Sequence, residues 1–162
     1  MNKVTMRTEV HHYFNTATEN AAETPQWTRC GDGWTQFQEN PGANTEETKY
    51  INMSSSSSEV TDYSPNYNVA ADLMLADPTI KMVHDIAKDR KTGSDALVDM
   101  LTVEVTGDGT ACDAWRETAA VGITSFDGEK KMSLTGTLAV QGDPVKGKFN
   151  VKTKVFTPDS EE

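Results

Sequence analysis

Leucine is scarce in this chain, with 6 residues in 162, and bases are outnumbered, 15 Lys+Arg standing against 25 Asp+Glu for a formal net charge of −10. The shortage of base excludes ordinary nucleic-acid binding, which needs a basic footprint to neutralise phosphates. Long hydrophobic runs are missing too. The longest apolar stretch, Val69–Ala76, is interrupted by Asp72 and falls far short of the ~18 residues of a membrane span. Two cysteines, Cys30 and Cys112, allow at most one intrachain bridge, so a disulfide scaffold is excluded and two reduced thiols in a cytosol-made protein are expected. Met1-Asn2-Lys3-Val4-Thr5 has no apolar signal segment, and classical export is not expected.

Catalytic constellations are also lacking. There is no phosphate-cradling Gly-rich loop, no nucleophile elbow and no Cys-x-x-Cys pair. The histidines are His11, His12 and His84. Neighbours on a strand point to opposite faces, which makes joint metal ligation by His11 and His12 awkward. Gly31-Asp32-Gly33 and Gly107-Asp108-Gly109 read as turns, since neither continues into the spaced acids of a calcium loop. The expectation is no enzyme, no metal and no cofactor.

What is present is β-branched. Thr (21) and Val (13) together outnumber Leu more than fivefold, and such side chains fit a pleated sheet. The length suits one domain, and 36% hydrophobic residues imply a modest core. Gln26–Cys30 and Trp34–Phe37 read as two short strands around a tight turn, followed by a strand at Thr45–Met53. Ser54–Ser58 and the polar residues to Asn66 read as a long, mobile loop. Asp77-Pro78 is an N-cap and first-turn signal for one helix over about 78–90, ended by Lys88, Arg90, Lys91 and Gly93. Strands then follow at Asp95–Thr106, Ala111–Ile123, Lys131–Val140 and Lys148–Thr157, separated by Gly/Asp turns that include Gly142-Asp143-Pro144. Short connections favour antiparallel pairing, and the whole predicts an antiparallel β-sandwich or barrel with one flanking helix. Lys146, Lys148, Lys152 and Lys154 occupy alternate positions and predict a basic strand face, either simply solvated or docking on an acidic surface of another copy.

The order of features resembles the major tail proteins, or tail tube proteins, of long-tailed (siphovirus-type) bacteriophages of Gram-positive hosts. The residues that carry it are Asn40-Pro41-Gly42, Thr48-Lys49-Tyr50-Ile51-Asn52, the Ser-rich loop with Val60-Thr61-Asp62-Tyr63, and Asp77-Pro78 with Lys91-Thr92-Gly93. Thr135-Gly136-Thr137-Leu138 and Gly142-Asp143-Pro144-Val145-Lys146-Gly147 complete it. The resemblance implies a tail tube β-sandwich domain over 13–157, an N-terminal arm at 1–12 and an acidic tail at 158–162. It implies a virion protein, made in the host bacterial cytoplasm, whose hexameric rings stack into a hollow tube for DNA ejection. Its partners would be further copies of itself, the tape measure, terminator and distal tail proteins, and phage DNA passing without specific binding or membrane insertion. The inter-ring loop would be Ser54, Ser55, Ser56, Ser57, Ser58, Glu59, Tyr63 and Asn66. Candidate acids facing the lumen are Asp72, Asp99, Glu104 and Glu117, because a negative wall repels phosphate. The alternative within the same class is the inner tube of a contractile tail, a tail-like bacteriocin or a related injection system. A rival of another class is an adhesin-like sandwich that binds a ligand.

Overall fold

The computed structural model describes residues 2–160. Its strands are β1 (Val10–Asn15), β2 (Trp27–Arg29), β3 (Trp34–Asn40), β4 (Ala43–Thr48), β5 (Ser57–Tyr63), β6 (Asn66–Asp72), β7 (Leu97–Glu104), β8 (Cys112–Asp127), β9 (Ser133–Asn150) and β10 (Val155–Pro158), with one α-helix, α1 (Pro78–Lys88), between β6 and β7. Eight strands form one antiparallel sheet in the order β2-β1-β7-β8-β9-β6-β3, with β10 on the far part of β9. β4 and β5 pair only with each other. The fold is a curled antiparallel half-barrel with one helix, the mainly-β class that the Thr/Val content predicts.

β2 and β3 do not form the hairpin that their sequence suggests. They are the two ends of the strand order, yet only residues 30–33 separate them. So short a link spans roughly 17 Å at most, and the sheet must curl to bring its ends that close. The Cys30 amide donates to His12 O at 2.7 Å and the Trp34 amide to Gly31 O at 3.1 Å, which holds the link against the first strand.

Curling gives the sheet two cores. On one face Phe14, Phe37, Tyr67, Val69, Met100, Leu134 and Leu138 pack with Ile80 and Val83 of α1. On the other, Tyr13 and Trp27 pack with Leu101, Val103, Cys112, Ala114 and Phe149. Tyr13/Phe14 and Met100/Leu101 are adjacent pairs whose members enter different cores, because successive strand side chains point to opposite faces. That is why β1 and β7 do not alternate cleanly between apolar and polar. The Asp77 carboxylate caps α1 by accepting from the Thr79 (2.9 Å) and Ile80 amides, as the sequence predicts, and Arg90 in the left-handed conformation ends the helix before Gly93.

Three sequence expectations are corrected. The first strand starts at Val10, so the end of the expected 1–12 arm, with both adjacent histidines, belongs to the sheet. Gly142-Asp143-Pro144 is not a turn between two strands. β9 runs through it, and one residue of β8, Glu117, stands opposite all three in a bulge, a position where a residue without an N–H is tolerated. The last predicted strand is divided, since 151–154 form a turn before β10. Of the acidic tail, Asp159 hydrogen-bonds Lys146 O at 3.0 Å, and 161–162 lie outside the described residues.

His12 is 3% exposed, stacked on Phe37 with ring centroids 4.0 Å apart, its Nδ1 3.3 Å from Thr102 Oγ1. Burial, with help from Arg7 and His11, lowers its pKa from 6.5 to about 3. The unfolded chain therefore binds the proton first, and stability attached to His12 is lost as pH falls from 6.5 towards 3. Two outcomes follow. His12→Phe should flatten the acid limb of the stability curve by up to ~1.4 kcal/mol per pH unit in that window, read by urea denaturation at several pH values; equal slopes in both proteins would refute it. Leu138→Ala, at a fully buried site, should cost about 2–5 kcal/mol by the same measurement at pH 7.

Candidate functional site

The Ser-rich segment is an arm. β3 and β6 form an edge hairpin that continues, past facing interruptions at Pro41-Gly42 and Ser64-Pro65, into the β4–β5 hairpin. Gly42 has φ +68, and a Cβ there would sit 2.2 Å from Ser64 O, so this kink requires glycine. The expected mobile loop is thus corrected: Ser54, Ser55 and Ser56 lie in the tip connection, while Ser57, Ser58, Glu59 and Tyr63 are on β5. Asn66 opens β6, its Oδ1 accepting from Asn40 Nδ2 at 3.0 Å. Pairing with β4 satisfies backbone groups that a loop would leave to water.

Among the described residues nothing covers the arm. Every residue of β5 is exposed, as are all of β4 but Thr48. Tyr50 and Ile51 at the tip are 66% and 109% exposed. Glu46 lies directly across from Glu59, a like-charge pair that destabilises a ladder. A two-stranded hairpin is marginal alone in water.

At the base of the arm the sheet forms an open cavity of about 570 Å³. Its walls include Trp115, Pro144 and five carboxylates, Glu39, Asp62, Glu104, Glu117 and Asp143, with no lysine or arginine among the lining residues. Burial, then the charge of Glu104, raises the Glu39 pKa. Burial also raises that of Glu117, aided by Glu39 and opposed by a 3.0 Å hydrogen bond from Tyr67 Oη. Desolvation pushes the Tyr67 phenol itself upward, and its hydroxyl lies 3.1 Å from Thr102 Oγ1. This is a semi-enclosed negative surface on a hydroxyl floor. It can repel anions or attract cationic side chains.

The four candidate lumen acids do not share a surface. Glu104 and Glu117 meet in this cavity. Asp99 instead shares with Glu117, Asp143, Lys91 and Arg116 a second open cavity of about 730 Å³, where its carboxylate takes Arg116 Nε at 3.0 Å, a second Arg116 nitrogen at 2.5 Å and Asn15 Nδ2 at 3.2 Å. Asp72 closes β6 at the other end, beside Ser133. Glu39, Asp62 and Asp143 were missed, although the spacing of Glu39 from the apolar Phe37 places both on one face. The basic strand face is likewise divided. Lys146 lies over the Trp115 ring at 5.8 Å, Lys148 is ion-paired with Asp113, and Lys152 and Lys154 belong to the turn before β10. His84 packs edge-on against Phe126 and contacts Asp85 at 3.0 Å. Among the described residues no group of three or more His, Cys, Asp or Glu is arranged to hold a metal ion, and no helix is long and apolar enough to cross a membrane.

No protein-family model matches the chain, and no curated protein matches it. Among solved structures it is similar to a chain of the anti-feeding prophage (AFP) baseplate, determined by cryo-EM with 6-fold symmetrisation. The likeness has a TM-score of 0.54 at 9% identity and covers 94% of this chain and 99% of that one. At that identity the likeness is one of fold alone.

Proposed function

We propose that this chain is a non-catalytic structural subunit of a phage-tail-type assembly, self-associating as stacked rings into a hollow tube. The observation that carries the reading is the uncovered β4–β5 arm, an element whose exposed apolar tip and like-charge pair are unfavourable in a free subunit. The fold supports it, since a curled sheet with exposed edges is suited to closure against its neighbours. In this reading the acidic cavity surface faces the conduit and keeps DNA phosphates from adhering during ejection. The partners are further copies, the tape measure, terminator and distal tail proteins, and DNA in transit; the site of action is the virion, after synthesis in the bacterial cytoplasm.

A second reading is a tube or baseplate-type subunit of a contractile tail or related injection system. The fold likeness to the prophage baseplate chain favours it. Co-purification of a sheath protein with the assembled particles would decide for this version, and tubes without one for the siphovirus-type tail.

Electron microscopy of the purified protein should show rings or tubes that lengthen with concentration. Replacing residues 44–62 by a short turn should leave a folded subunit, with a circular-dichroism melting curve close to the parent, that no longer elongates. A parent strictly monomeric at high concentration in phage-like salt would defeat the reading, and undiminished growth of the armless variant would remove the arm from it.

A further inference from the structure

Side chains from β1, β7, β6 and β8 meet end to end inside the curl of the sheet. His12 Nδ1 on β1 lies 3.3 Å from Thr102 Oγ1 on β7. That oxygen is 3.1 Å from Tyr67 Oη on β6, which in turn is 3.0 Å from Glu117 Oε2 on β8. His12, Thr102 and Tyr67 are all buried, so water does not compete for these bonds and each polarises the next. The two ends of the row open on different cavities. Glu117 and Thr102 line the acidic cavity. His12 lines a separate cavity of about 260 Å³ at the seam between β1, β2 and β3, beside Arg7, Arg29 and Gln36.

The supply of hydrogens gives this row a direction. An ionised Glu117 only accepts, so the single Tyr67 hydroxyl hydrogen goes to it. Tyr67 Oη then accepts from Thr102, whose one hydrogen is thereby used, and Thr102 Oγ1 accepts from His12. The ring therefore carries its hydrogen on Nδ1 and leaves Nε2 bare, since the hydrogen bond at one ring nitrogen sets the state of the other. We propose that His12, Thr102, Tyr67 and Glu117 form a proton relay that makes the tautomer of His12 follow the charge on Glu117. A solvent proton entering the seam cavity bonds to Nε2. The Nδ1–H, Thr102 O–H and Tyr67 O–H protons each move one place along, and Glu117 Oε2 gains the last. One N–H bond forms and one breaks, the row reverses, and no charge is left inside.

The charges at the two ends favour this direction of travel. Glu39 of β3, Asp62 of β5, Glu104 of β7 and Asp143 of β9 share the acidic cavity with Glu117. On its other flank, Lys91 and Arg116 stand among Asp85, Asp95 and Asp99, with Arg116 engaged by Asp99. Burial, aided by Glu39, makes Glu117 take up a proton at milder acidity than a free glutamate. Around His12 stand Arg7, His11 and Arg29, beside the Cys30 thiol that burial keeps protonated. Burial, Arg7 and His11 lower the His12 pKa to about 3. The ring thus stays neutral while Glu117 titrates, and the proton is held better at the acidic end than among the arginines.

The test is nitrogen NMR of the isotopically labelled full chain, which shows which ring nitrogen of His12 bears the hydrogen. It can be made on monomers in solution or on assembled particles in the solid state, so its outcome is separate from whether subunits stack. At neutral pH the hydrogen should be on Nδ1. As pH falls through the Glu117 midpoint, followed from its carboxyl carbon signal, the hydrogen should move to Nε2 with the same midpoint. Thr102→Val should leave Glu117 titrating and the ring unresponsive, and Thr102→Ser, which keeps the hydroxyl, should keep the coupling. Tyr67→Phe should also uncouple the ring and, by removing a hydrogen bond to the carboxylate, raise the Glu117 midpoint by about one pH unit. A ring hydrogen on Nε2 at neutral pH overturns the relay. So does a tautomer that stays fixed while Glu117 titrates, or a Thr102→Val ring that still follows it.

Discussion

The four residues from Cys30 to Gly33 impose the constraint on which the architecture depends. A link that short between the first and last strands of the sheet order leaves no flat solution. Once the sheet curls, its concave face must be filled, and the helix end carrying Ile80 and Val83 packs with that core beside Leu134 and Leu138. The convex face is then too broad for solvent, and Trp27, Phe149 and Phe156 close a second, smaller core. Two half-size cores sharing one sheet suit a chain that is 36% hydrophobic and poor in leucine. β-Branched and aromatic side chains can serve a sheet from both faces, whereas a single thick core would need more aliphatic volume.

Local chemistry was legible in the sequence, and long-range geometry was not. The Asp77-Pro78 start of the helix, the Gly107–Gly109 turn and the strand content all follow from capping, left-handed backbone and β-branching, and the structure has each of them. Pairing partners were the weak point. Trp27–Arg29 and Trp34–Asn40 look like a hairpin because the residues between them make a turn, yet each pairs elsewhere. Gly142-Asp143-Pro144 has turn composition but sits in a bulge, since a strand with a continuous partner can pass over residues that cannot donate. The serine run misled for a related reason. Low apolar content argues against burial, but a hairpin needs no burial to satisfy its backbone, and β5 is a strand without a single buried residue. For the candidate site, Glu104 and Glu117 share a cavity wall, but their companions Glu39 and Asp62 come from distant elements that only the curl and the arm deliver.

The charge excess acquires a location from this. Burial and mutual repulsion raise Glu39 and Glu117 above their ordinary range, so keeping both ionised costs free energy in the isolated subunit. Asp99 shows the cheaper arrangement available to the same sheet, a carboxylate held by two Arg116 nitrogens and an asparagine. No lysine or arginine lines the acidic cavity itself, and Glu39 and Glu104 have no ion-pair partner among the described residues, unlike Asp99. Uncompensated negative charge on a concave wall is focused by the low-dielectric protein around it, which is the property a wall facing passing phosphates would need.

The arm carries the same logic into energetics. Its backbone is paired but none of its side chains is fully buried, so its order in the free subunit depends largely on a two-stranded ladder burdened by Glu46 opposite Glu59. Such an element sits at the low end of local stability and frays first. The kink at Pro41-Gly42 and Ser64-Pro65 confines that fraying to the arm, because it interrupts both strands between the marginal hairpin and the two-cored sheet on which everything else rests.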